Sequence, residues 1–311
     1  MESGIGTVVK VFGMYSTVLF EGRRINCVLR GRMRREKGAR KFSDPVAVGD
    51  LAKVEVDREG TGVISEIMPR KNVFSRKEKG RARKEDVIAS NLDRIVIIQS
   101  FDNPRLNLRF VDRLSVRARR DGIPVLLCVN KRDLARKDDV NAVMEYYDNA
   151  PIDIAFVSAK TGRGVDDFGQ FIAGSTSLVV GYSAVCKTSI LNRLYPDLHL
   201  RVSEISESTG DGRHTTTNVE MIYSVDGTRI VDTPGLREFG LVDIEPESAG
   251  DYFYEFGELG RECAFRPCSH DHEPDCRVKS MLEAGRIHED RYVSYLNILH
   301  SLRHARERRY Q

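Results

Sequence analysis

The apolar stretch Thr176–Val180 runs directly into Gly181, Tyr182, Ser183, Ala184, Val185, Cys186, Lys187, Thr188 and Ser189, and a helical pattern follows. A strand, a loop with a glycine, then Lys-Thr at the start of a helix can cradle phosphate. Backbone N–H groups at the helix start hold the oxygens, Lys187 neutralises the β and γ positions, and the Thr188 hydroxyl reaches Mg2+. Taken alone the match is imperfect, because Cys186 stands where the loop's second glycine belongs.

Three more segments bear on the same chemistry. Asn130, Lys131, Arg132 and Asp133 follow a buried apolar run. A carboxylate there can accept from N1 and N2 of guanine together, a pair of donors that adenine lacks, while the Lys131 stem packs along the base plane. Ser158, Ala159 and Lys160 follow the next strand, and their backbone can donate to guanine O6. Asp232, Thr233, Pro234 and Gly235 end another strand, with Asp232 placed to hold Mg2+ through water and Gly235 free to approach a γ-phosphate. Each segment sits at the C-terminal end of a strand, where open α/β sheets bind ligands.

A second chemistry lies near the C-terminus. Cys263, Cys268, His270 and Cys276 offer three thiolates and an imidazole within 14 residues. That donor set suits one tetrahedral Zn2+ with no open position, a structural rather than catalytic site. His272 is the nearest other ligand.

The elements that must position these groups follow from pattern. The chain has 311 residues, 41% hydrophobic and 31% charged, a composition that excludes a disordered tail or a membrane protein. No apolar run reaches the roughly 18 residues of a spanning helix, and residues 1–10 lack a signal-peptide stretch, so a cytoplasmic location is expected. Net charge is only +3, yet residues 22–42 hold nine basic side chains against one acid and residues 70–84 eight against one. An acidic body with two basic stretches fits a polyanion partner, with two solvated loops as the plain alternative.

Residues 5–67 read as five short strands, Thr7–Val11, Ser16–Phe20, Ile25–Leu29, Leu51–Val56 and Gly62–Ile67. They predict a small barrel of OB type, which an SH3-like barrel would resemble in sequence, with Arg30–Lys41 as a basic loop on it. After a basic linker at 70–84, buried apolar strands alternate with helical periodicity: strands near 94–99, 123–129, 153–157, 177–180, 219–224 and 229–232, helices near 136–147, 165–172 and from 187. This is an α/β unit with a mostly parallel sheet. The last 60 residues read as helical, with Tyr292, Tyr295, Leu296, Leu299 and Leu302 on one apolar face. The expected architecture is therefore multidomain: an OB-type β-barrel over 1–70, a central α/β P-loop domain over 71–245, and a zinc-binding α-helical domain over 246–311.

The order of the nucleotide segments is unusual. Ras-like GTPases run phosphate loop, switch threonine, DxxG, NKxD, SAK. Here NKRD and SAK come first, then the phosphate loop, then Gly212-Arg213-His214-Thr215-Thr216-Thr217, then DTPG. With the barrel before and the cysteines after, nearly the whole chain resembles the RsgA (YjeQ/YloQ) family of circularly permuted GTPases. The resemblance implies a GTP hydrolase acting in late maturation of the small (30S) ribosomal subunit, binding its 16S rRNA, stimulated by the subunit, and working as a monomer. It places the zinc ligand at His270. In the threonine-rich switch His214 is the candidate to act on the attacking water, and one of Thr215, Thr216 and Thr217 is expected to ligate Mg2+ in the GTP state. Ras-like enzymes orient that water with a glutamine after DxxG, whereas here Leu236 fills the place, an apolar residue as in the family. The rRNA contacts fall to Arg30, Arg32, Arg34, Arg35, Lys37, Arg40 and Lys41, with the tail Arg303–Arg309 assisting. Ala184 and Cys186 depart from the family's glycine-rich loop. They keep open a rival reading, an RNA-binding platform with weak or no GTP turnover. A P-loop ATPase is the other rival, against which Asp133 argues.

Overall fold

The computed structural model describes residues 2–31, 42, 44–77, 85–182, 184–198, 219–233, 241 and 244–308. Arg32, Arg34, Arg35, Lys37, Arg40, Lys41, Ser183, His214, Thr215, Thr216, Gly235 and Leu236 lie outside them.

The N-terminal strands are β1 (Glu2–Phe12), β2 (Tyr15–Phe20), β3 (Arg23–Leu29), β4 (Leu51–Val56) and β5 (Gly62–Ile67). They close a barrel in the order β1-β2-β3-β5-β4-β1, with β3 and β5 parallel and the other pairs antiparallel. Alternation explains the closure: Val18, Phe20, Ile25, Cys27, Val54, Val56 and Ile64 point inward and are buried. Besides β2, β1 is long enough for two further neighbours. Residues Glu2 to Thr7 pair with β4, and beyond a register shift Lys10 pairs with Glu220 of the central domain.

The basic linker is not all linker. β6 (Val73–Lys77) and β7 (Glu85–Ser90) form an antiparallel hairpin. Beside its buried apolar side chains Phe74, Ile88 and Ala89 lie buried Ser75 and Glu85, which meet Arg117, whose Nη2 donates to Ser75 Oγ over 2.8 Å. Buried Asp50 fastens the barrel to this hairpin, accepting from Arg70 Nε and Nη2 at 2.7 Å each and from Ser90 Oγ at 2.6 Å.

The central sheet runs β10-β9-β8-β11-β13-β12, built from β8 (Arg94–Ser100), β9 (Val125–Asn130), β10 (Asp153–Phe156), β11 (Thr176–Val180), β12 (Glu220–Tyr223) and β13 (Arg229–Asp232). The first five are parallel and β12 is antiparallel. The helices are α1 (Leu108–Arg120), α2 (Lys137–Tyr146), α3 (Val165–Ile172) and α4 (Lys187–Leu194). Both faces of the sheet are covered. Ile95, Ile97, Leu127, Val129 and Leu178 pack with α1 residues, while Val96, Ile98, Leu126, Cys128 and Val179 pack with Phe168, Ile190 and Leu191. Continuous apolar strands are what two buried faces require.

α5 (Arg277–Glu283) and α6 (Glu289–Glu307) complete the chain. Tyr295, Leu299 and Leu302 are buried as their spacing predicts, with Ile298 beside them, around Phe253 and Phe256. Arg291 on the same helix is also buried. It ion-pairs with Asp112 of α1 and, at 2.7 Å, with Glu255, while Tyr146 and Tyr147 donate to Asp112 at 2.5 and 2.9 Å. The C-terminal region thus docks on α1 through a buried charge. No helix among the described residues is long and apolar enough to cross a membrane.

Candidate functional site

The segments that sequence places far apart meet along the C-terminal edge of the parallel strands. β11 leads into Gly181, which must be glycine because a Cβ there would lie 2.4 Å from the Ile98 carbonyl oxygen. Tyr182 then packs its ring on Phe110 of α1, centroids 4.4 Å apart. Ala184 and Cys186 both adopt left-handed backbone, φ 67° and 62°. Such a backbone turns successive N–H groups toward one concavity, at the cost of a Cβ in a conformation suited to glycine. Val185 is buried and anchors the loop between them.

Lys187 opens α4, and its Nζ donates to the carbonyls of Gly181 at 2.9 Å and Tyr182 at 3.1 Å. Burial pushes this ammonium's pKa down, and the Asp232 carboxylate pushes it back up. Burial conversely raises the Asp232 carboxyl, opposed by Lys187. The Asp232 Oδ1 is buried and has no hydrogen-bond partner among the described residues. A buried, orphaned carboxylate oxygen beside the phosphate loop is what a divalent cation or its water would satisfy. Thr188 and Ser189 are half-buried on the first turn of α4.

The base-side loops are held by Asn130. Its Nδ2 donates to the Val185 carbonyl at 2.9 Å and its Oδ1 accepts from the Ala159 amide at 3.0 Å. One side chain therefore joins the end of β9, the phosphate loop and the Ser158–Lys160 loop. Lys131 takes left-handed backbone, φ 59°, and its Nζ donates to the carbonyls of Asp102, at 2.8 Å, and Asn103. Asp133 is exposed and accepts from Ser158 Oγ at 2.6 Å, a bond that holds its carboxyl below the usual range. Arg132 donates instead to the Ala135 carbonyl at 2.9 Å, within its own loop.

Arg193 on α4 was carried by no motif. Its guanidinium donates to the carbonyls of Ala159, Lys160 and Thr161. No sequence signal marks it, since an arginine on a helix surface is ordinary.

The four metal-type ligands converge. Their donor atoms all lie within 4.8 Å of one another, with Cys263 Sγ 3.6 Å and Cys276 Sγ 3.4 Å from His270 Nδ1, and the two sulfurs 3.9 Å apart. These are the edge lengths of a small tetrahedron, and three sulfurs with one nitrogen can hold one metal ion. Burial pushes the Cys268 thiol up to about 12 and raises that of Cys276, so a cation is what would favour their thiolates. His270 has φ 54°, and Gly250 and Gly260 leave room for its ring. Its carbonyl is held by Tyr292 at 2.6 Å, and the neighbouring Ser269 carbonyl by Tyr295 at 2.5 Å. His272 is exposed and lies outside the cluster, its Nδ1 4.0 Å from Asp271.

Among the basic residues, Arg30 is exposed and paired with Glu55 at 2.8 Å. In the tail, Arg303 pairs with Asp271 at 2.7 Å and Arg306 with Glu247 at 2.6 Å.

Comparison with known proteins agrees with this arrangement. The family model described as RsgA GTPase matches residues 67–242. The chain is 38% identical over 301 residues to the small ribosomal subunit biogenesis GTPase RsgA of Flavobacterium johnsoniae, covering 94% of this chain and 92% of that protein. The chain belongs to the RsgA GTPase family. The protein of the same name from Chlorobaculum parvum is 38% identical over 311 residues, covering 97% of this chain and 99% of its own. Among solved structures, that of YjeQ from Thermotoga maritima superposes with a TM-score of 0.79 at 31% identity, covering 97% of this chain and 99% of that one. The structure of YloQ, a circularly permuted GTPase, gives 0.74 at 26% identity, with 98% and 96% covered. Barrel, RsgA-type GTPase unit and helical Cys3His region all fall within these full-length matches.

Proposed function

We infer that this chain is a GTP hydrolase of small ribosomal subunit biogenesis whose nucleotide sits between the phosphate loop and the Asn130 and Ser158 loops. The observation that carries the reading is the Asn130 side chain, bonded at once to Val185 and Ala159. It supports one cleft for phosphate and base despite the permuted order of the segments.

In that cleft Asp133 reads guanine N1 and N2, and the Lys131 stem lies along the base. Backbone amides from Gly181 to Lys187 hold the phosphates, with Lys187 releasing its loop carbonyls to meet the β and γ oxygens. Thr188 and Asp232, with Thr215 or Thr216, would hold Mg2+, which supplies charge neutralisation at the phosphate oxygens. His214 orients the attacking water, since Leu236 has no hydrogen-bonding group. Gly235 donates to the γ-phosphate. The 16S rRNA meets the barrel's basic stretch, Arg30 to Lys41. Cys263, Cys268, His270 and Cys276 would hold one structural Zn2+. A cytoplasmic location goes with ribosomal work.

The test is steady-state GTP hydrolysis by the purified protein with and without small ribosomal subunits. Subunits are expected to accelerate turnover, and Lys187→Ala to abolish it. Unstimulated, residual turnover in the parent would instead favour the RNA-binding platform.

A further inference from the structure

The loop that faces the base carries its own accounting of donors. The Ser158 amide donates to the Arg163 carbonyl at 2.9 Å, the Ala159 amide to Asn130 Oδ1 at 3.0 Å, and the Thr161 amide to Ser158 Oγ at 3.1 Å. The Lys160 amide has no acceptor among the described residues. If this loop reads an oxygen on the base, Lys160 N–H is the donor left to do it.

What aims that donor is Arg193. In a trans peptide the C=O of one residue and the N–H of the next point in opposite directions. Arg193 Nη1 donates to the Ala159 carbonyl at 3.3 Å and the Lys160 carbonyl at 3.4 Å, and Nη2 to the Thr161 carbonyl at 3.2 Å. Drawing the Ala159 carbonyl toward α4 turns the Lys160 N–H away from α4. The loop is shaped for this guanidinium: Gly162 has φ 89°, and a Cβ there would lie 2.3 Å from Arg193 Nη2. Arg193 also stands on the helix that Lys187 opens, so the clamp ties the base loop to the phosphate-holding helix.

We propose that Arg193 is a positioning residue for guanine recognition, holding the Ala159–Lys160 peptide plane so that the Lys160 amide donates to O6. This rests on the nucleotide reading above. In this role the guanidinium acts through three carbonyls and not on the base itself. It offers a planar fork of donors, which an ammonium cannot reproduce.

The experiment compares dissociation constants for GDP and 6-thio-GDP, which keeps the N1 and N2 donors but replaces O6 with a weak sulfur acceptor. The full-length parent is expected to prefer GDP by about tenfold, the worth of one good hydrogen bond left unmade. In Arg193→Ala the preference should fall to about twofold or less, through weaker GDP binding, while 6-thio-GDP binding stays within about twofold. Arg193→Lys should retain part of the preference, and because the side chain is exposed the thermal midpoint should not move. Should Arg193→Ala destabilise the chain, the lysine variant carries the same comparison. A GDP preference unchanged in both variants, or an equal loss for both nucleotides, overturns the role of Arg193 alone. A parent that binds GDP no better than 6-thio-GDP overturns the O6 contact itself and the base assignment with it.

Discussion

Asn130 Nδ2 donates to the Val185 carbonyl over 2.9 Å, across 55 residues of chain. The donor ends β9 and the acceptor lies in the loop after β11, two strands with β8 between them. Both groups are buried, so the bond replaces water that neither could reach. Its other end, Oδ1, fixes the Ala159 amide. A permuted chain order therefore costs the cleft nothing, because adjacency is set by the sheet and not by sequence.

Base specificity should reside in Asp133. Its carboxylate is exposed and oriented by Ser158 Oγ at 2.6 Å. Asp133→Asn replaces an acceptor of two donors by a group that presents one N–H to them. GDP affinity should fall by about a hundredfold, two charge-assisted bonds being involved. Xanthosine diphosphate, whose C2 carries oxygen, should bind the variant better than it binds the parent. Equal loss for both nucleotides would remove Asp133 from the base edge.

The phosphate loop is strained at two positions. Ala184 and Cys186 hold φ 67° and 62°, a region where a Cβ costs roughly 1–2 kcal/mol. Glycine at either site relieves that cost, and nothing in the described contacts of Cys186 opposes it beyond a 3.7 Å approach of Sγ to the Ala184 carbonyl. Cys186→Gly should tighten GDP and GTP alike, by about 5- to 30-fold if the empty loop relaxes and binding restores the left-handed turn. Titration of each nucleotide against parent and variant reads this directly. Unchanged constants would mean that the empty loop already holds the bound conformation and that the cost falls on folding.

Much of this was legible beforehand, and the exceptions share a cause. Leu51–Val56, Gly62–Ile67, Val165–Ile172 and Arg229–Asp232 are elements with the boundaries their patterns predict, because apolar periodicity reports burial against a hydrophobic neighbour. Where burial is polar the pattern is silent. The stretch 70–84 reads as a basic linker although it holds β6, since of that strand's two fully buried side chains, Phe74 and Ser75, one is polar and is partnered by Arg117. Arg291 belongs to no apolar periodicity, yet it lies between Asp112 and Glu255 with the Phe253 ring centroid 4.8 Å from its guanidinium. Arg132, adjacent to Asp133, bonds its own loop because a motif prescribes spacing and not side-chain direction.

That buried arginine sets a stability prediction. Removing one member of a buried, hydrogen-bonded charge cluster leaves the others uncompensated, at about 3–5 kcal/mol. Arg291→Met strands Asp112 and Glu255 together and should lower the denaturant midpoint accordingly. Tyr146→Phe, which removes one of two hydroxyls on Asp112, should cost about 1–2 kcal/mol. Similar small losses for both variants would show that water reaches Asp112.

The metal cluster sets the last expectation. The His270 ring lies 5.9 Å from that of Phe256 and 6.2 Å from that of Tyr295, and both are core residues of the C-terminal region. Loss of the ion leaves three cysteines and an imidazole clustered in that core with nothing to hold them, and the Ser269 and His270 carbonyls lose their fixed geometry on Tyr295 and Tyr292. The purified protein should therefore carry one zinc per chain by elemental analysis. Stripping it with chelator should destabilise the C-terminal helices and lower the first unfolding transition. GDP affinity should change by less than about twofold, because α1, which carries the Arg291 joint, is also packed by the central sheet and the bond of Asn130 to Val185 lies elsewhere. Cys276→Ala should reproduce the chelated behaviour. A protein that keeps its melting profile after complete removal of zinc would mean that the hydrophobic cluster around Phe253 and Phe256 holds this region without the ion.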